Sequence, residues 1–159
     1  MVEIAQSVIQ DSLPLALEKH IDLGYEGVTA ESRGVRILGN ATLLKELIRN
    51  LVDNAMSYTP SSAESPGVIT VRVLSDTAGK VVAVQVEDSG PGIPEAEREQ
   101  IFQPFYRALG TQVDGSGLGL AIVMEVAQLH NASVNVQDAS PGKPNPGASF
   151  TVRFQHTLA

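Results

Sequence analysis

The sequence predicts an α+β fold, a two-layer sandwich in which one mixed sheet of about five strands carries helices on one face. Three observations predict it. Apolar residues recur at helical spacing in separate segments, and β-branched residues alternate in others. The two patterns interleave along 159 residues, which is room for one domain.

The elements follow in order. Ile4, Ala5, Val8, Ile9, Leu13, Leu15, Ala16 and Leu17 return at roughly helical intervals, so residues 3–19 read as a helix with a kink expected at Pro14. IDLGY and VRIL suit short strands. The turn-rich GVTAESRG between them predicts a hairpin. Asn40 is a good N-cap for the clearest helix in the chain, where Leu43, Leu44, Leu47, Ile48, Leu51, Val52 and Ala55 share one face and Pro60 ends the run. VITVRVL and VVAVQVED alternate and are joined by SDTAGK, the pattern of paired strands. Pro94 suits the first turn of a short acidic helix through EAEREQIF. Residues 108–117 (ALGTQVDGSG) are polar and without period, hence a loop. LGLAIVMEVAQLH then reads as an apolar helix stopped at Asn131. SVNVQD and SFTVRF are strands around the turn ASPGKPNPG. With no repeat and no linker, residues 1–159 are expected to form a single domain.

Composition narrows the function. Eleven Lys and Arg against eighteen Asp and Glu give a net charge of −7, which argues against a broad grip on nucleic acid or acidic lipid but leaves a local anion site open. The absence of Cys removes disulfides, thiolate metal sites and thiol nucleophiles together. Three scattered His do not suggest a His-only metal site. No apolar run approaches the ~18 residues of a membrane span, and MVEIAQSVIQ lacks the basic start of a signal peptide, so the chain as given is expected to be soluble.

Three features carry chemistry. On the Asn40 helix, Glu46, Asn50 and Asn54 step by four and form a line beside the apolar stripe, with Asp53 and Ser57 extending it. Carboxamide oxygens suit a hard cation already neutralised by phosphates. From this helix alone, a solvated polar face is the simpler account. VEDSGPGIP runs out of a buried-looking strand, so Asp88 is a fixed acceptor for an exocyclic amine, or the first residue of a plain turn. DGSGLGLA places three alternating glycines at a helix start, where backbone N–H groups hold anions without basic side chains. It is neither a Walker loop nor a good dinucleotide fingerprint.

Taken in order, ELIRNLVDNAMSY, EDSGPGIP, IFQPFYR, GSGLGLAI and GASF resemble the N, G1, F, G2 and G3 boxes of bacterial sensor histidine kinases. The resemblance covers nearly the whole chain and is to the C-terminal catalytic ATP-binding domain of those kinases. It implies a flexible ATP lid at residues 108–117 and the cofactors ATP and Mg²⁺. Asn50 and Asn54 take the metal-ligand positions, Tyr58 stacks on adenine, and Asp88 receives the adenine N6 hydrogen bond in a pocket shaped by Gly90, Gly92 and Ile93. Arg107 falls near the γ-phosphate, Phe102 and Phe105 anchor the lid, and Gly115, Ser116, Gly117, Leu118, Gly119 and Leu120 cradle the phosphates. Glu46, one turn before Asn50, is either a group that helps polarise an incoming His or an ordinary surface residue. Ser57 stands where Lys is frequent, and Ala148 stands where Thr is common.

The resemblance implies donation of the γ-phosphate to a His on a separate dimerisation and phosphoacceptor domain, and a cognate response regulator downstream. His20, His130 and His156 show nothing of the phosphoacceptor signature, so that domain is expected to be absent here. The fragment is expected to be monomeric and cytoplasmic, the full-length kinase a homodimer in the bacterial inner membrane; no nucleic-acid partner is expected. The alternatives are a nucleotide-gated protein-binding module and an anti-sigma-type serine kinase of the same superfamily.

Overall fold

The computed structural model describes residues 1–32, 36–76, 78, 80–106 and 117–155. Helix α1 spans Val2–Glu18 and leads into strand β1, Ile21–Gly27. Helix α2 spans Ala41–Tyr58, with the Asn40 side chain accepting from the Leu43 N–H at its first turn. Strands β2 (Gly67–Ser75) and β3 (Val81–Asp88) follow, then helix α3 (Gly119–Leu129), β4 (Ser133–Asp138) and β5 (Ala148–Gln155).

The strands form one sheet in the order β1-β2-β3-β5-β4. It is mixed, because β1 pairs parallel to β2 while the other three pairings are antiparallel. The helices cover one face. Leu44, Leu47, Ile48, Leu51 and Val52 of α2 and Val123, Val126 and Ala127 of α3 are buried against Ile69, Val71, Val73, Val82, Val84, Val86, Phe150, Val152 and Phe154. The α+β sandwich and its five strands are as the sequence predicts.

Two local expectations fail. The hairpin is absent: Arg36–Leu38 form no strand, and β1 takes β2 as its partner, Ile21 opposite Gly67, with α2 as the crossover. Leu38 is 90% exposed, so a strand there would bury little and nothing favours it over the loop. The acidic helix is instead two 3₁₀ turns, Glu95–Glu97 and Gln100–Phe102, closed by bonds such as Glu97 N–H to Pro94 O at 2.9 Å. Only Ile101 in these turns is fully buried, and Phe102 meets Phe150 edge-on at 6.2 Å. Two adjacent anchors do not make the stripe that holds a regular helix to a core. Pro14 lies inside α1, and Asn131 has the left-handed φ of 52° expected of a helix stop.

Register positions the candidate site. The inward row of β3 is Val82, Val84, Val86 and Asp88, all buried, so the period of two that fills the core also drives a carboxylate inward at the strand end. In β4 and β5, Asp138 lies opposite Ala148, beside the end of β3. Truncation of α2 tests the packing: Leu51→Ala should cost about 2–5 kcal/mol in denaturant unfolding, while Leu17→Ala on the exposed end of α1 should stay within about 0.5 kcal/mol.

Candidate nucleotide site

Asp88 is the most constrained residue of the site. Its Oδ1 accepts from the Gly90 N–H at 2.9 Å and the Ala148 N–H at 3.1 Å. Oδ2 receives no hydrogen bond from the described residues, which leaves it as an acceptor with fixed direction. Burial raises the carboxyl above the ordinary carboxylate range, against the two N–H groups, which lower it; Glu87 adds a smaller push upward.

The surrounding backbone closes tightly. Gly147 has a φ of 68°, and a Cβ on it would collide with the Asp88 carbonyl oxygen, so only glycine serves there. The Gly147 N–H donates to Gly90 O at 2.9 Å, stitching the β4–β5 turn to the turn after β3. Gly90 in turn sits against the Tyr58 carbonyl, 2.7 Å from where its own Cβ would stand, which brings the end of α2 to the same place. Gly92 packs on Pro146, and Ile93 is half-buried against the core. Asp88, Gly90, Gly92, Ile93 and Tyr58 are thus gathered at one end of the sheet.

The polar line of α2 runs away from this end. Asn50 Nδ2 donates to Glu46 O at 2.8 Å, an acceptor that fixes which way the carboxamide faces. Its Oδ1 is turned toward the start of α3, 3.2 Å from the position of a Cβ on Gly119. That oxygen accepts no hydrogen bond from the described residues and, with Asn54 one helical turn on and half-buried, has the donor chemistry a hard divalent cation requires. No group of three or more His, Cys, Asp or Glu among the described residues could hold a metal by itself. The Glu46 carboxylate pairs with Arg49 at 2.9 Å, and Ser57 is exposed.

Gly117, Leu118, Gly119 and Leu120 lie at the start of α3, Leu120 buried. Arg107, Gly115 and Ser116 lie outside the described residues, as does most of the expected lid. The two ends flanking that segment meet: the Phe105 N–H donates to Gly117 O at 2.8 Å, and the left-handed φ of 72° at Gly117 brings the glycine against the Phe105 backbone. Phe102 packs edge-on against Phe150, while most of the lid it was expected to anchor lies outside the described residues. Phe105 is held through its backbone only, its ring being 71% exposed. Sequence reasoning missed Arg98, which bonds Ile93 O at 3.1 Å and Asp138 Oδ1 at 3.0 Å; a lone Arg in an acidic stretch gives no sign of such partners.

Comparison with known proteins identifies the family and the fold. Residues 39–158 match the family model described as histidine kinase-, DNA gyrase B-, and HSP90-like ATPase. The chain is 42% identical over 152 residues to a signal transduction histidine-protein kinase/phosphatase MprB of Mycobacterium sp. (strain KMS), covering 95% of this chain and 28% of that protein. It is 36% identical over 146 residues to the MprB of Mycobacterium leprae, covering 91% and 27%. The chain therefore spans less than a third of the curated relatives it matches. Among solved structures, a mycobacterial sensor histidine kinase MprB superposes with a TM-score of 0.79 at 27% identity, over 96% of this chain and 97% of that one. The nucleotide-free catalytic domain of histidine kinase ThkA gives 0.78 at 25% identity, over 98% and 94%. This chain belongs to the histidine kinase-, DNA gyrase B- and HSP90-like ATPase family, with its similarity concentrated in histidine kinase catalytic domains.

Proposed function

We propose that this domain binds Mg·ATP and donates the γ-phosphate to a His on the dimerisation domain of a longer sensor kinase. That kinase would be a homodimer in the bacterial inner membrane, with this domain on the cytoplasmic side and a response regulator as the next acceptor. The observation that carries the reading is Asp88: a buried carboxylate with one oxygen saturated by backbone N–H groups and the other left to accept from an exocyclic amine. A 6-aminopurine supplies such an amine; guanine presents a carbonyl at that position, which would set two acceptors face to face.

Each residue contributes binding or orientation. Tyr58 offers an aromatic face for the base, and Gly92 and Ile93 complete the pocket. Asn50 and Asn54 would hold Mg²⁺, which neutralises triphosphate charge. The glycines at the start of α3 admit phosphate oxygens to backbone N–H groups, with Arg107 as the basic contribution. This explains how a chain of net charge −7 takes a polyanion: the site uses dipoles and carboxamides where a surface would use Lys. Transfer itself is positioning and electrostatics. With an amide at Asn50 where hydrolytic relatives carry a carboxylate, water is not activated and the phosphoryl group is kept for the histidine. Glu46, engaged by Arg49, is left a supporting role at the incoming His.

Calorimetric titration should show ATP binding that strengthens with Mg²⁺ and loses that dependence in Asn50→Ala. Addition of a separately made His-containing dimerisation domain should then give phosphohistidine. Binding without transfer to the cognate domain would favour a nucleotide-gated binding module instead.

Asp88 gives a test with two readouts. Because its pKa is raised in the fold, the stability linked to this group is present below the unfolded carboxyl pKa and is lost as pH rises through the folded value. Asp88→Asn keeps an acceptor for the Gly90 and Ala148 N–H groups and carries no charge. At neutral pH the variant should be at least as stable as the parent, the gap closing on acidification. Its amide would present N–H to the adenine amine, so ATP binding should fall at least about tenfold. In the parent, ATP affinity should decline on acidification at a pH above the ordinary carboxylate range, as Asp88 takes up its proton.

A further inference from the structure

We propose that Arg98 is a positioning residue that sets base discrimination, by bracing the turn after β3 against the turn between β4 and β5. The inference rests on the ATP-binding reading and deepens it. Arg98 caps the Glu95–Glu97 turn and meets the proposed pocket through the backbone carbonyl of Ile93. Its guanidinium joins a nearby carbonyl to a distant strand end, with Nε on Ile93 O at 3.1 Å and Nη2 on Asp138 Oδ1 at 3.0 Å.

Both partners belong to the base end of the site. Ile93 follows the Gly90–Gly92 turn and forms one wall. Asp138 ends β4 opposite Ala148, whose N–H holds Asp88. The planar fork makes both bonds in one geometry; a Lys ammonium lacks that fork. Besides Arg98, the turn is tied to the β4–β5 turn by the Gly147–Gly90 hydrogen bond and the Gly92–Pro146 contact, and both of these lie on the Asp88 side of Ile93. Arg98 adds the hydrogen-bonded tie at Ile93 itself, beside the packing of the Ile93 side chain on the core.

The consequence is selective. Asp88 is fixed by its own strand and two backbone donors, so its carboxylate stays in place without Arg98. An acceptor tells an amine from a carbonyl only when the ring carrying it is held in register, and a wall loosened by a fraction of an ångström relaxes that register. The ion pair itself is a quarter to a third exposed on each side and adds little to global stability. Loss of Arg98 should thus be felt in the choice of base before it is felt in folding.

The test measures ATP and GTP affinities and thermal midpoints for the parent domain, Arg98→Lys and Arg98→Ala. The parent should prefer ATP. Arg98→Ala should weaken ATP about tenfold while GTP changes little, so the ratio collapses, with the midpoint lowered by only a few degrees; Arg98→Lys should fall between. A parent that discriminates while Arg98→Ala keeps the same ATP to GTP ratio, whether or not both affinities fall, overturns the role of Arg98 and leaves the ATP reading standing. A parent that binds ATP no better than GTP overturns the ATP reading itself and this inference with it.

Discussion

A carboxylate at the inward end of a core strand is the constraint on which the rest of this structure depends. Asp88 continues the row Val82, Val84 and Val86, so it cannot avoid burial unless the strand stops early. An unpaired buried carboxylate is costly, and two backbone N–H groups, from Gly90 and Ala148, are the means of holding it. Supplying them requires the chain to turn sharply after β3 and requires β5 to begin at the same level. Gly147 then has to press on the Asp88 carbonyl. The glycines of this region are best understood as the geometry that makes a buried charge tolerable, and the pocket as the space that geometry leaves.

The same reasoning links the Asp88 end of the site to the start of α3. Helix α2 ends beside Gly90 and passes Asn50 close to Gly119 at the start of α3. Its apolar stripe locks it on the sheet, so the spacing between Asp88 and the carboxamides is set by helix rise and core packing. At the far end of the pair, His130 accepts the Asn40 N–H at 3.1 Å through Nε2, with Nδ1 on Val126 O at 2.8 Å. One histidine therefore ties the start of α2 to the end of α3. The two helices that carry opposite sides of the site are fixed to each other as well as to the sheet.

Much of this was legible in the sequence because period and chemistry coincide. The alternation through VVAVQVED announces a strand and, by parity, the burial of its last residue. The stripe from Leu43 to Ala55 announces α2 and leaves Asn50 and Asn54 on its margin. The failures were places where periodicity was too short to decide. VRIL looks like a strand, yet Leu38 is exposed and β1 pairs with a strand forty residues further on. EAEREQIF has the composition of a helix but only one turn's worth of apolar anchorage, so it settles into 3₁₀ turns. Phe105 was expected to anchor the lid, most of which lies outside the described residues; its backbone N–H bonds Gly117 O and the residue is exposed.

What the sequence by itself determined is the α+β class, the boundaries of the long helices and central strands, and the sequence boxes that point to the family. These follow from local rules, since burial period and turn chemistry act over a few residues. Only the tertiary structure decided which strands are neighbours, which oxygen of Asp88 is occupied, which way the Asn50 amide faces, and that Arg98 joins Ile93 to Asp138. The strand order, the Ala148 bond to Asp88 and the Arg98–Asp138 pair depend on groups far apart in the chain, and such contacts leave no period or spacing in the sequence to betray them; the Asn50 amide is set locally by Glu46 O one turn back, a choice of rotamer that residue types alone do not fix.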